Sequence, residues 1–232
     1  MQEPLFPQTI KGFTIVVQRN RKATRLRLKV DPMRDRIVLT IPHRCTLTRA
    51  EEFLKEKKSW LTQEIDMLPP RIPLTYDTTL PILGKDTKLI PSTRRSRVKN
   101  VLSILATPTR CEDTVKRILK HRLLAYIKPR AERYAAMVGK DIHRIRLVET
   151  STRFASCSPN GVIAFSWRLV FAPRPVIDYV IAHEVAHLRE LHHGPKFWDL
   201  VEEICPNYER HRLWLKREGL QLFRYGSVKE RG

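Results

Sequence analysis

The amino-acid sequence predicts an α+β protein with a β-rich N-terminal half and a C-terminal unit in which a small sheet packs on a helix. Two observations support this class. Over the first hundred positions, short runs of alternating apolar and charged residues are separated by turn residues, which is typical of strands. Farther along the chain, apolar residues recur at helical spacing, with two more strand-like runs between the helices. We therefore predict a β-rich region over 1–100 and a second region over 101–232.

The first strand-like run is TRLRLKV, over residues 24–30. Its apolar residues fall on one face of an extended chain and its basic residues on the other. The turn signal DPMRD then leads into a second run, IVLTIP, which ends at Pro42. The pair predicts a hairpin with one apolar face and one basic face.

Residues 47–68 have the period of a helix, and Thr48 followed by Glu51 has the spacing of a capping box at its start. The following stretch, 69–100, contains five prolines, which exclude long helices. Within it, the sequence ILGKDTKLI predicts another short hairpin.

The second half begins with a predicted helix over 112–138, which Pro129 should bend or break. Two strands and two short helices account for most of the remaining apolar periodicity. These elements are predicted over residues 145–149 and 162–166 for the strands, and over 196–204 and 208–217 for the helices.

The formal net charge is +20, and its placement along the chain is uneven. Residues 1–150 hold 32 Lys and Arg against 15 Asp and Glu, a balance of +17. One interpretation is non-specific nucleic-acid binding through a basic N-terminal surface. The other is a solvated face without such a partner. The candidate contacts are Arg25, Arg27 and Lys29 on the hairpin, and the cluster of Arg94, Arg95, Arg97 and Lys99.

Four cysteines are scattered along the chain without a C-x-x-C pair, which suits a reducing compartment and excludes a zinc ribbon. No run of about eighteen apolar residues is present, so no membrane span is expected. The first residues lack the apolar core of a signal peptide. These features together predict a cytoplasmic protein.

Four of the eight histidines lie within residues 183–193, HEVAHLRELHH. A helix is predicted from Pro173 to the stop signal at Gly194 and Pro195. On this helix His183 and His187 lie one turn apart on the same face. The helix is apolar on most sides and should be buried, so its polar residues need partners.

The spacing His-Glu-x-x-His provides such partners, because two imidazoles one turn apart can bind a single Zn²⁺ and Glu184 can deprotonate a bound water. A catalytic zinc site needs a third ligand and an open fourth position. From the residues alone the third ligand stays open among His192, His193, Glu202 and Glu203. The alternative to metal binding is a chance pattern combined with core packing.

The segment from residue 152 to 206 resembles the YgjP-like metallopeptidase family, a zincin-like group related to the SprT/Spartan and WLM proteases. The family pattern reads K-x-R-W-G-S-C, then a strand, then Y-V-x-x-H-E-L-x-H-L, then N-H-x-x-x-F-W. The positions that match are Arg153, Ser156, Cys157, Tyr179, Val180, His183, Glu184, His187, His193, Phe197 and Trp198. Ser151, Phe154 and Ala155 replace the usual Lys, Trp and Gly.

The resemblance implies a zincin-like fold for residues 101–232, with His183, His187 and His193 as zinc ligands and Glu184 as general base. It also implies a protein or peptide substrate, bound in extended form along the strand that begins at Val162. The three replaced residues lie in the stretch expected near that substrate, and they bear on specificity.

Three functions are consistent with the sequence. The first is a zinc-dependent metallopeptidase that hydrolyses peptide bonds through a metal-activated water. The second is a metal-dependent hydrolase of nucleotides or phosphoanhydrides, although the chain has no P-loop. The third is a non-catalytic nucleic-acid-binding protein with a structural metal, for which Glu184 would be unnecessary.

Overall fold

The computed structural model describes residues 7–92, 100–150 and 153–226. These residues form six α-helices and ten strands in three small sheets, which confirms the predicted α+β class. They fall into two compact units, 7–70 and 71–226. None of the described helices is both long enough and apolar enough to cross a bilayer.

The first unit contains a four-stranded sheet. Its strands are β1 (Thr9–Ile10), β2 (Phe13–Asn20), β3 (Arg27–Asp31) and β4 (Arg36–Pro42), in the order β1-β2-β4-β3. The antiparallel pairing of β3 with β4 confirms the predicted hairpin. Strand β2 was not predicted. It pairs with β4 in parallel, and parallel pairing leaves no turn signal between the two strands.

Two helices follow this sheet, α1 (Leu47–Glu56) and α2 (Lys58–Asp66). The predicted start of the helical region at Thr48 is wrong. The N-cap is Thr46, whose side chain accepts a hydrogen bond of 3.2 Å from the amide of Arg49. The helical region is also interrupted at Lys57, which caps one helix and precedes the next.

The candidate basic contacts are described only in part. Arg25, Arg27 and Lys29 are exposed, the last two on the edge strand β3. The cluster of Arg94, Arg95, Arg97 and Lys99 lies outside the described residues. Binding of nucleic acid through this surface therefore stays a prediction.

The second unit begins with a three-stranded sheet of β5 (Thr79–Ile82), β6 (Lys85–Pro91) and β7 (Val101–Ile104). The first two strands form the predicted hairpin. Buried residues of this sheet, such as Leu80 and Leu89, belong to the same hydrophobic core as the helices that follow. The compact units divide at residue 70, and a domain boundary near residue 100 stays a prediction.

The longest helix, α3 (Cys111–Met137), is not broken at Pro129. Buried residues lie on both sides of this proline, including Leu123 and Ile127 before it and Ala131 after it. Their burial in one core stabilises the helical path through the proline, although proline cannot donate an amide hydrogen bond.

A second three-stranded sheet consists of β8 (Arg144–Val148), β9 (Ala155–Cys157) and β10 (Val162–Ser166), in the order β8-β10-β9. The central strand β10 pairs with β8 in parallel and with β9 antiparallel. Strand β9 therefore forms one edge of this sheet.

Three helices complete the second unit: α4 (Arg174–Ala186), α5 (Pro195–Ile204) and α6 (Tyr208–Glu218). Two 3-10 segments, Trp167–Phe171 and Gly219–Arg224, precede α4 and follow α6. The helix α4 packs against α3, α5, α6 and the edge strand β9. It thus lies at the centre of this unit.

Candidate metal centre

The helix α4 carries the first two histidines. It begins after Pro173, and its apolar residues Ile177, Ile181 and Val185 are fully buried. It ends at Ala186, earlier than expected, so that His187 is its C-cap. The amide of Leu188 donates to the carbonyl oxygen of Val185, and the amides of Arg189 and Glu190 donate to that of Ala186. These hydrogen bonds end the helix in tight turns.

Those turns bring His193 back to the helix. One nitrogen each of His183, His187 and His193 lies within 4.8 Å of the other two. Nε2 of His193 is 3.1 Å from Nε2 of His183. Ligand nitrogens around a tetrahedral Zn²⁺ are about 3.3 Å apart, given Zn–N distances of about 2.0–2.1 Å. The spacing of the three side chains therefore fits one small metal ion.

The protonation of the histidines also fits a metal. Burial lowers the pKa of His183 to about 3, assisted by the neighbouring His187 and His193 and by Arg212. Burial likewise lowers the pKa of His187. Nδ1 of His187 is 3.1 Å from the carbonyl oxygen of Glu190, to which a protonated Nδ1 donates. The two helical imidazoles are therefore neutral, and each offers a nitrogen lone pair, as metal ligation requires.

Glu184 lies between the two helical histidines in sequence and is only 6 % exposed. Burial raises the pKa of its carboxyl group to about 7. Two smaller effects lower this pKa: the positive charge of Arg153 and a hydrogen bond from the backbone amide of Cys157. A carboxylate with a pKa near neutrality is suited to accept and return a proton.

The thiol of Cys157 lies close to this carboxylate but is not a nucleophile. Burial raises its pKa to about 11, and the charge of Glu184 adds to the effect. The thiol donates to the carbonyl oxygen of Ser158 at 3.5 Å. It is a neutral packing group at neutral pH, as expected for a partly buried cysteine.

Aromatic rings surround the histidines. Phe197 is fully buried, and its ring centroid lies 4.6–5.0 Å from those of His183, His187 and His193. The ring of Trp198 is partly exposed, with its centroid 5.7 Å from that of His193. The two rings thus hold the His193 turn against α4.

The mutation Trp198→Ala should lower the free energy of unfolding by about 2 kcal/mol, less than truncation of a fully buried aromatic residue. The reason is that Trp198 is partly exposed but stacks on Tyr208, with centroids 5.3 Å apart, under the guanidinium of Arg212. Urea denaturation measures the change. An unchanged midpoint would show that the stacking does not stabilise the protein. Trp60→Ala, at a 40 % exposed tryptophan in the first unit, is the control.

The other candidates for the third ligand lie apart from the histidine cluster. Neither His192 nor Glu203 belongs to the group of converging ligand atoms. The carboxylate of Glu202 accepts a hydrogen bond of 3.1 Å from the amide of Asn207. Over the described ranges of the chain, the three histidines are the group whose ligand atoms converge.

The predicted place for an extended substrate, alongside the strand from Val162, is wrong. That strand is β10, and both of its edges are already paired, with β8 and with β9. The edge strand next to α4 is β9, which a sequence pattern of three residues could not identify as a strand. Leu215 of α6 was not predicted either. The tertiary structure brings it to the same cleft as His183.

A buried glutamate beside three converging histidines is the arrangement of a hydrolase of the metallopeptidase class. The family model described as YgjP-like, metallopeptidase domain, matches residues 24–218 of this chain. The chain therefore belongs to the YgjP-like metallopeptidase family, which confirms the resemblance. Family membership makes it a hydrolytic enzyme that uses a divalent metal and acts on proteins or peptides.

Two solved structures show weaker similarity. The crystal structure of the metallopeptidase zymogen abylysin of Pyrococcus abyssi is 21 % identical over 40 % of this chain and 95 % of that chain, with a TM-score of 0.36. The zymogen of jannalysin of Methanocaldococcus jannaschii is 21 % identical over 39 % of this chain and 91 % of that chain, with a TM-score of 0.34. No curated protein matched the chain.

Proposed function

We propose that the protein is a zinc-dependent peptidase in which His183, His187 and His193 hold the ion and Glu184 is the general base. The observation that carries this proposal is the convergence of three imidazole nitrogens within 4.8 Å of one another, next to a buried carboxylate. Three imidazole ligands leave the fourth position of a tetrahedral ion open, as catalytic zinc sites require. Imidazole also suits copper, iron and nickel, so the proposal of zinc needs its own measurement.

Each protein group has a distinct role in the reaction. The three histidines would hold a zinc ion, and its Lewis acidity would acidify a water molecule and polarise the substrate carbonyl. The carboxylate of Glu184 accepts a proton from the attacking water and returns it to the leaving amine. In the absence of a metal ion, burial raises the pKa of this carboxyl group to about 7, which suits a group that accepts and returns protons near neutral pH. The backbone amide of Cys157 holds the carboxylate in place.

We propose that the peptide substrate adds to the free edge of β9. The carbonyl oxygen of Phe154 accepts a hydrogen bond of 2.7 Å from the amide of Ser166 on β10. The amide of Ser158 donates one of 2.9 Å to the carbonyl oxygen of Val162 on the same strand. In an antiparallel pair alternate residues face the partner strand, so the amide and carbonyl of Ala155 point away from β10. They can pair with an extended peptide, which would then lie next to Glu184 on α4.

The metal assignment gives a direct prediction. Protein stripped with a chelator should take up one zinc ion per chain. His193→Ala should weaken zinc binding by more than the roughly 10–100-fold that is typical when a residue that only hydrogen-bonds to a metal ligand is mutated. Competition titration with a chromophoric chelator measures the affinity.

His192→Ala is the matched control, because His192 is the adjacent exposed histidine. It should bind zinc like the wild type. If His192→Ala or Glu202→Ala lost the metal while His193→Ala kept it, the third ligand would be assigned wrongly.

One assay distinguishes peptide hydrolysis from nucleotide hydrolysis. Zinc-loaded protein is incubated with unfolded proteins, peptides and nucleoside triphosphates, and the products are identified by mass spectrometry. We expect peptide cleavage only, since the described residues contain no convergent carboxylate cluster for Mg²⁺–phosphate chemistry. Release of pyrophosphate or phosphate without peptide cleavage would support the nucleotide hydrolase instead.

We also propose a cytoplasmic location. All four cysteines, Cys45, Cys111, Cys157 and Cys205, are free thiols, which suits a reducing compartment.

A further inference from the structure

A small cavity opens beside the histidine cluster and is continuous with it, since His183 and Glu184 form part of its lining. Its volume is about 180 Å³. Three elements build its remaining walls: the segment leading into β9, the helix α4 and the helix α6. The side chains that they contribute are those of Arg153, Phe154, Ala155, Tyr179, Val180 and Leu215.

We propose that this cavity, the Phe154 pocket, receives the substrate side chain next to the scissile bond and selects apolar side chains no larger than one aromatic ring. The inference rests on the proposed peptidase function, because it concerns the substrate of the same site. It assigns specificity to Phe154 and Leu215.

The size of the pocket sets the upper limit. A protein cavity of about 150 Å³ lined by apolar side chains holds one benzene ring. The Phe154 pocket, at about 180 Å³, has room for a leucine, methionine or phenylalanine side chain, and the larger indole of tryptophan should fit it less well. Its floor is firm, because Val180 is 4 % and Tyr179 6 % exposed within the core.

The lining also sets the preferred chemistry. Most of the wall is apolar, and the one cationic side chain is that of Arg153, whose charge acts on the Glu184 carboxylate. A substrate lysine or arginine would meet this like charge. If the basic side chain instead reached Glu184, it would form an ion pair with the carboxylate that must accept the proton. The peptide would then bind without being cleaved.

The ring of Phe154 is held in a fixed place. It stacks on Phe223, with centroids 5.2 Å apart. On another side it lies against Gly219, where an added Cβ would come within 2.8 Å of the ring. The carbonyl of Phe154 is tied to the amide of Ser166. Any side chain at position 219 must therefore displace the wall of the pocket.

The test compares three pocket variants with one control. Phe154→Ala and Leu215→Ala enlarge the pocket, and Gly219→Ala moves the Phe154 ring. Leu213→Ala is the matched control, since Leu213 lies on the same helix as Leu215 but is 51 % exposed. Each zinc-loaded protein is assayed against peptides that vary one residue on either side of the cleaved bond, from alanine through leucine and phenylalanine to tryptophan and lysine.

We expect wild type to prefer leucine and phenylalanine peptides over tryptophan and lysine peptides. In Phe154→Ala and Leu215→Ala, kcat/KM for tryptophan relative to leucine should rise roughly 10-fold or more, the usual effect of a small change in an apolar pocket. Gly219→Ala should shift preference toward alanine by a similar factor, and Leu213→Ala should keep the wild-type profile. An unchanged profile in all three pocket variants, despite native folding, would overturn the proposal.

The same peptides are titrated onto the zinc-loaded Glu184→Gln protein and followed by calorimetry, which measures selection without turnover. If peptides bind with the predicted side-chain ranking but wild type cleaves none, the pocket stands and the peptidase function fails. If wild type cleaves peptides with no ranking by side chain, the function stands and the pocket proposal is overturned. Absence of both binding and cleavage overturns both.

Discussion

Glu184→Gln protein should bind one zinc ion per chain and hydrolyse peptides at least about 100-fold more slowly than wild type, the usual loss when a general base is removed. The amide is nearly the size of the carboxyl group, so the buried position on α4 can accept it. It cannot accept a proton from water. The three histidine nitrogens are left as they are, and metal binding should persist. Steady-state cleavage of a quenched fluorescent peptide, together with zinc analysis of the same sample, measures both properties.

Glu203→Gln is the matched control, because Glu203 is an exposed glutamate on α5. It should retain the wild-type rate. Hydrolysis by Glu184→Gln at the rate of this control would show that another group is the base. Loss of zinc from Glu184→Gln would instead mean that Glu184 supports the metal site, and the kinetic result would then say nothing about proton transfer.

Phe197→Ala should lower the free energy of unfolding by about 3–5 kcal/mol, the cost typical of truncating a fully buried aromatic residue. Phe197 is 0 % exposed, and its ring contacts all three histidines of the cluster. The cavity left by the ring would also release the turn that carries His193, so zinc affinity should fall together with stability. Urea denaturation with and without zinc separates the two effects, because a bound ligand adds stability in proportion to its affinity.

Phe197→Leu provides the graded control, since leucine keeps most of the apolar contact. It should lose less than half of the stability that Phe197→Ala loses. Equal losses in the two variants would mean that the ring stacking itself, rather than filling of the core, holds the turn in place. No loss in Phe197→Ala would contradict the packing described for the site.

Several elements could be predicted from the sequence because their signals are local. The alternation in β3 and β4, the strand β10 and the helix α6 each depend on residues a few positions apart. Other features depend on contacts between residues that are distant in the chain. Helix α3 continues through Pro129 because the core on both sides stabilises it. The helical region after Thr46 divides at Lys57, which the apolar period does not indicate.

In the site itself, the sequence alone predicted that His183 and His187 lie together, because a helical turn of 3.6 residues places positions four apart on one face. Tertiary structure decided the rest. The approach of His193 depends on where α4 ends and on the packing of Phe197. The edge that can receive a peptide depends on which strands pair with β10, and the Phe154 pocket depends on α6 packing against α4. Strand order and helix packing bring together residues far apart in the chain, and no local periodicity encodes such contacts.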